Sequence, residues 1–213
     1  MNIRTIVLCT TLLGSLLVSA PHAVLAAEDN NPLKDPSFEL RLPADDGGWE
    51  LFEISLYSDD QARSGDQSMF NGGLSKTVAY HPFFVGVVSG SFQEIPASPG
   101  SRWRLTGHGL TANKLQGTPA FGILQLSFFD ADGKDLGTVE TVDSSTKAKT
   151  SNEINNQTAA GAWILLDTGI ATAPADTATV QAFTIYVDFS GSNTAQGVYF
   201  DDLSLRALAE GDD

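Results

Sequence analysis

From Ser37 onward the chain is cut into short stretches of two-residue apolar alternation, each closed by a reversal rich in Gly, Pro, Asp or Asn. Trp103 and Leu105 alternate with Arg102, Arg104 and Thr106. Leu124, Leu126 and Phe128 alternate with Ile123, Gln125, Ser127 and Phe129, and Val198, Phe200 and Leu203 continue the pattern near the end. A period of two sends successive side chains to opposite faces, so these stretches read as strands with one face inward. The same reading predicts strands at Ser37–Leu42, Trp49–Phe52, Ser68–Asn71, Ser91–Ile95, Leu136–Val142, Trp163–Ile170 and Thr179–Asp188. Between them stand Asp46-Gly47-Gly48, Asn71-Gly72-Gly73, Pro99-Gly100 and Asp130-Ala131-Asp132-Gly133. Gly supplies positive φ at such reversals, and Asp or Asn bonds its own backbone. About ten strands at this spacing make an all-β sandwich or barrel. There is no internal repeat, and no helical stripe after the first apolar run.

That first run sets the compartment. Arg4 precedes an apolar stretch from Thr5 to Ala20, and small residues surround Ala26 and Ala27. This is the pattern of a secretory signal, too short for a spanning helix, so residues 1–26 are expected to be removed and the product exported to the periplasm or medium. Residues 27–32 then form a linker, residues 33–208 one domain, and residues 209–213 a tail. The single cysteine, Cys9, lies inside the signal, and Leu8 before it does not suit a lipoprotein site. Without disulfides, stability has to come from a core, a bound ion, or both. The formal net charge of −14 repels phosphate backbones and anionic membranes, which argues against nucleic acid as a partner and leaves neutral ligands and divalent cations.

Two stretches have no strand assignment. Residues 72–90 hold Tyr80, His81, Phe83 and Phe84, and residues 143–161 are polar and rich in Ser, Thr and Asn. Long connections in a compact domain are functional or mobile. The first is expected to bind, and the second to be mobile.

The succession Leu33-Lys34-Asp35-Pro36-Ser37-Phe38-Glu39, Gly48-Trp49-Glu50, Ala62 to Ser68, Phe92-Gln93-Glu94-Ile95, Trp103-Arg104-Leu105, Phe128 to Gly133, Trp163, Ala173-Pro174 and Phe200 to Leu205 resembles the CenC-type carbohydrate-binding modules over almost the whole chain after the signal. The resemblance implies a galactose-binding-like jelly roll of two antiparallel sheets and a polysaccharide or glycoconjugate as ligand. It also implies a structural Ca²⁺ tying the ends of the domain together. The matching positions are Glu39, Asp201 and the stretch Ser64–Ser68 with Asp66. Calcium takes six to eight oxygens, which carboxylates and carbonyls from separate loops supply. Asp202, the next strand residue after Asp201, is expected to face the other way.

Sugars are held by aromatic faces together with planar amides or carboxylates. Tyr80, His81 and Phe84 are the expected rim, and Gln93, Gln125 and Gln181 the expected lining of a strand face. Trp49, Trp103 and Trp163 are assigned to the core. Asp130, Asp132 and Gly133 are a hairpin turn, since an EF-hand loop would need its Gly two positions later. Among enzyme motifs there is no Gly-x-Ser-x-Gly elbow, no His-Glu-x-x-His pattern and no phosphate loop. The chain is therefore read as a non-catalytic binding module. A structural or adhesion protein of the envelope or matrix, with a protein partner, is the alternative.

Overall fold

The computed structural model describes residues 30–73, 87–116, 119–137, 148–189, 195–209 and 211–212. Ten strands are found among them: β1 (Glu50–Phe52), β2 (Ser55–Ser58), β3 (Ser68–Gly72), β4 (Val87–Pro96), β5 (Arg102–Leu110), β6 (Ala120–Phe129), β7 (Lys149–Thr150), β8 (Ile164–Thr172), β9 (Thr179–Asp188) and β10 (Gly197–Leu208). They form two five-stranded sheets, a first in the order β1-β4-β9-β6-β7 and a second in the order β2-β3-β10-β5-β8. Every pairing is antiparallel. The chain crosses repeatedly from one sheet to the other, as in a jelly-roll sandwich.

The core follows from the alternation. Leu124, Leu126 and Phe128 of β6 and Val180, Ala182 and Tyr186 of β9 face Met69, Leu105, Leu166, Val198, Phe200 and Leu205 of the second sheet, all of them buried. Each large side chain removed from water contributes roughly 1.5–3 kcal/mol. One polar group crosses this layer. Asn71 of β3 donates from Nδ2 to Thr184 Oγ1 at 2.8 Å and accepts from Ser55 Oγ at 2.6 Å, and Ser91 Oγ lies 2.7 Å from Thr184 Oγ1. A buried network satisfied in this way fixes one register between the sheets.

Three local predictions differ from the structure. Ser37–Leu42 is a loop folded around Asp35, whose carboxylate accepts the amides of Leu40 and Arg41 at 3.0 Å each. Asp35, Phe38 and Arg41 all take positive φ, so the side chain has displaced the strand ladder. The loop drops Phe38 into the core, 5.1 Å from the ring of Trp49, whose Nε1 donates to the Asp35 carbonyl. Strand β2 was not predicted. Finally, the described part of the 143–161 stretch is anchored rather than loose. Ile154 is fully buried and pairs with Gly122, and Asn152 binds the edge of β8 at Leu165 and Asp167. Of the predicted strand Leu136–Val142 only Leu136 and Gly137 are among the described residues, and just before them a bridge between Phe129 and Asp135 closes the Asp130–Gly133 turn as expected.

Candidate functional site

On β9, Val180, Ala182, Thr184 and Tyr186 point into the sandwich, so Gln181, Phe183, Ile185 and Val187 stand on the outer face of the first sheet. Register extends each across the neighbouring strands. Phe183 lies between Phe92 of β4 and Gln125 of β6, and Gln181 lies between Glu94 and Ser127. The rings of Phe92 and Phe183 are 5.2 Å apart and inclined by 32°. Gln181 Nε2 donates to Glu94 Oε2 at 2.7 Å, and Gln125 Nε2 donates to Ser127 Oγ at 3.1 Å. Two half-buried aromatic rings thus adjoin the Glu94 carboxylate and the Gln181 and Gln125 amides, while Ser127, only 4% exposed, anchors Gln125 from beneath. Further along the same face Ile123, Ile185 and Val187 are already buried, with Phe121 and Phe183 packed against them.

The predicted lining is therefore split. Gln125 and Gln181 share this face, on adjacent strands. Gln93 is on the inner side, only 4% exposed, where its Nε2 donates to the Lys34 carbonyl and its Oε1 accepts the Lys34 amide at 2.9 Å. Residues 93 and 181 are one strand apart but of opposite parity, since Gln93 pairs with Ala182. Tyr80, His81 and Phe84 lie outside the described residues. Glu94, Ser127 and Phe183 were not predicted, because β9 is apolar at both parities and which strands flank it is set by pairing between distant segments. The signal that was there is parity with Gln181: Phe183 is two residues on.

A second cluster surrounds the loop before β3. Asp201 is fully buried; its Oδ2 accepts the amides of Arg63 at 2.7 Å and Ser64 at 3.2 Å, and its Oδ1 accepts the Asp202 amide. Glu39 accepts the amides of Asp66 and Gln67 on the same loop at 3.0–3.1 Å. A Cβ at Gly65, between them, would stand 2.3 Å from the Glu39 carboxyl, and its φ is +58°, so both position and conformation demand glycine. Asp202 corrects the expectation from alternation. It takes φ +50° at a bulge in β10, and its carboxylate reaches the same loop, accepting from the Ser64 hydroxyl at 2.5 Å and pairing with the Arg63 guanidinium. Burial pushes the Asp201 carboxyl up to about 6, against the pull of its three amide donors. Its cross-strand neighbour His108 is shifted down by burial and by Arg63, and His108 Nδ1 is buried with no hydrogen-bond partner.

Among the described residues no group of three or more His, Cys, Asp or Glu side chains converges as a metal site. The carboxylates of Glu39 and Asp201 both accept backbone amides of this loop, and amide donors, with no cationic side chain on Asp201, are what face the buried Asp201 charge. The Asp66 carboxylate is exposed, and it is the Asp66 amide that engages Glu39.

No protein-family model and no curated protein matches the chain. Solved structures do share its fold. The enzymatically active domain of bacteriophage CBA120 tailspike protein 4 superposes with a TM-score of 0.53 at 12% identity, over 84% of this chain and 22% of that one. The arabinose-bound MgGH51 α-L-arabinofuranosidase gives 0.50 at 13% identity, over 83% of this chain and 26% of the enzyme, so in both cases the chain spans a minor part of the larger protein. The C-terminal family 22 carbohydrate-binding module of Clostridium thermocellum Xyn10B gives 0.52 at 13% identity, over 84% of this chain and 96% of the module. What the chain shares with these proteins is the β-sandwich fold, and with the module that fold extends over nearly the module's whole length.

Proposed function

We infer that the protein is an exported, non-catalytic module that binds a neutral polysaccharide or glycoconjugate on the outer face of the first sheet. The observation that carries this reading is the placement of Phe92 and Phe183 beside Glu94, Gln181 and Gln125. Ring faces suit the apolar side of a pyranose, and prepositioned amide and carboxylate groups suit its hydroxyls. The extent of the match to a solved carbohydrate-binding module supports the same reading. A protein partner has less support, because Ile123, Ile185 and Val187 on this face are buried already.

A structural calcium belongs to the proposal. Glu39 and Asp201 would hold it, beside Asp66, and it would offset the burial of the Asp201 charge. Export is proposed from the apolar segment before Ala27. Among the described residues no helix is long and apolar enough to cross a membrane.

The test is retention of the purified protein on insoluble neutral polysaccharides, with and without a chelator. Wild type is expected to be retained, and Phe183→Ala and Gln181→Ala to be released while still folded. Equal retention of both variants would place the site elsewhere. A melting temperature that is the same with calcium and with chelator would remove the ion from the proposal.

A further inference from the structure

The outer face of the second sheet gathers arginine in a chain that has few bases. The sequence holds 12 Lys and Arg against 26 Asp and Glu. Yet Arg104 of β5 and Arg206 of β10 are direct cross-strand partners, and Arg102 follows two residues along β5 on the same side. Like charges directly opposite one another destabilise a sheet, so an acidic protein gains nothing for its fold by this placement.

Each guanidinium is held differently. Arg104 is clamped by Asp167 of β8, with Nε donating to Oδ1 at 3.0 Å and a terminal nitrogen donating to Oδ2. That bond holds the Asp167 carboxyl below the usual carboxylate range. Arg102 donates to the main-chain carbonyls of Ala209 at 3.1 Å and Asp212 at 2.9 Å. Arg206 is exposed and makes only a long contact to Ser204 Oγ, 3.4 Å. Among the described residues the only ion pairs are Arg63–Asp202 and Arg104–Asp167, so Arg102 and Arg206 carry charge that no carboxylate there neutralises. In the next row Thr106 and Ser204 lie opposite each other and add two hydroxyls.

We propose that this face is a second binding site, which takes the carboxylate groups of an acidic, uronate-bearing polysaccharide between Arg206, Arg104 and Arg102. A guanidinium fork matches a planar carboxylate through two parallel hydrogen bonds. Asp167 occupies the Nε edge of Arg104 and so orients its remaining terminal nitrogen, while the unpaired Arg206 offers its free terminal nitrogens as the fork and supplies the charge that the anion neutralises. The Thr106 and Ser204 hydroxyls are placed for the sugar oxygens beside that carboxylate. The site is on the opposite side of the sandwich from Phe92 and Phe183 and does not depend on them.

The probe is soluble polygalacturonate, in affinity electrophoresis or calorimetry at low ionic strength. Binding is expected for the wild type, to weaken as salt is added, and to vanish when the same polymer is methyl-esterified. Arg206→Ala and Arg102→Ala are each expected to weaken it by about tenfold or more, the usual scale for a lost charge-assisted hydrogen bond, with an unchanged melting temperature. Phe183→Ala is expected to leave it unaltered. Absence of binding, equal binding of the esterified polymer, or full binding by a folded Arg206→Ala/Arg102→Ala double variant would overturn the proposal. So would equal or tighter binding of dextran sulfate or duplex DNA, which would make the face a general anion patch.

Discussion

The outer face of the first sheet differs from the β5–β8–β10 part of the second sheet's outer face, which gives way toward β2 and β3 to the ring pair Phe70–Tyr199, 4.8 Å apart, beside exposed Leu56. The outer side of the first sheet is aromatic and aliphatic, with Phe92, Phe183, Ile123, Ile185 and Val187 around a short polar row. The outer side of the second carries Arg102, Arg104, Arg206, Thr106, Ser204 and Asp167. Strands β6 and β9 of the first sheet are thus largely apolar at both parities, whereas β5 and β10 alternate. Burying a sandwich core requires one apolar face per sheet. Any further apolar surface has to be covered or used; Ile123, Ile185 and Val187 are covered, and Phe92 and Phe183 are left half-exposed beside them.

One substitution made on both faces gives the largest contrast. A carboxylate introduced at Ile123, buried on the first sheet, is expected to destabilise the protein by about 3 kcal/mol or more, since no partner awaits the charge. Ser204→Asp, beside Arg206 on the second sheet, is expected to change stability by less than about 0.5 kcal/mol. Urea unfolding of the two variants measures both. Equal costs would mean that the two faces are alike in burial.

Asp201 is the exception on the second sheet, a fully buried acid on the strand that carries Arg206. Its folded carboxyl titrates near 6, above its ordinary value near 3.8, so between those values the folded state binds more protons than the unfolded one. Stability from this group is therefore present at low pH and is lost as pH rises through about 6, by up to about 3 kcal/mol. In chelator, the wild type is expected to lose stability relative to Asp201→Asn between pH 4 and 7. Calcium is expected to flatten or reverse that trend by favouring the ionised form. A difference that does not change with pH would mean that the buried carboxyl titrates normally.

Phe183→Ala removes half of the aromatic pair. It is expected to reduce polysaccharide retention by about tenfold while costing about 1–2 kcal/mol in stability, because the ring is only half-buried. A small effect is also expected at the Arg104–Asp167 pair, whose side chains are 37% and 29% exposed. Asp167→Asn should shift thermal stability by less than about 1 kcal/mol. A larger loss would make this pair part of the frame rather than of the surface.

Much of this architecture was legible in the chain. Alternation at Trp103–Leu105, Leu124–Phe128 and Val198–Phe200 located β5, β6 and β10 and the side of each that faces inward. Gln125 was legible on the side opposite Leu124 and Leu126 for the same reason, whereas the side taken by Gln181 was decided by the structure. Gln93 was not legible, because its parity relative to Gln181 depends on the register between β4 and β9. Asp202 was misread, since a bulge with positive φ ends the alternation on which the reading relied.

The sequence by itself determined the all-β class, the reversals and most of the inward side chains, because strand periodicity and turn chemistry act over a few residues. Only the tertiary structure decided that Phe92, Phe183 and Gln181 adjoin, that Arg104 stands opposite Arg206, and that Asp201 and Glu39 close on one loop. Each of these depends on which strands pair and in what register. Register is set by burial across the whole sandwich and by the Asn71–Thr184 bond at its centre, between residues far apart in the chain.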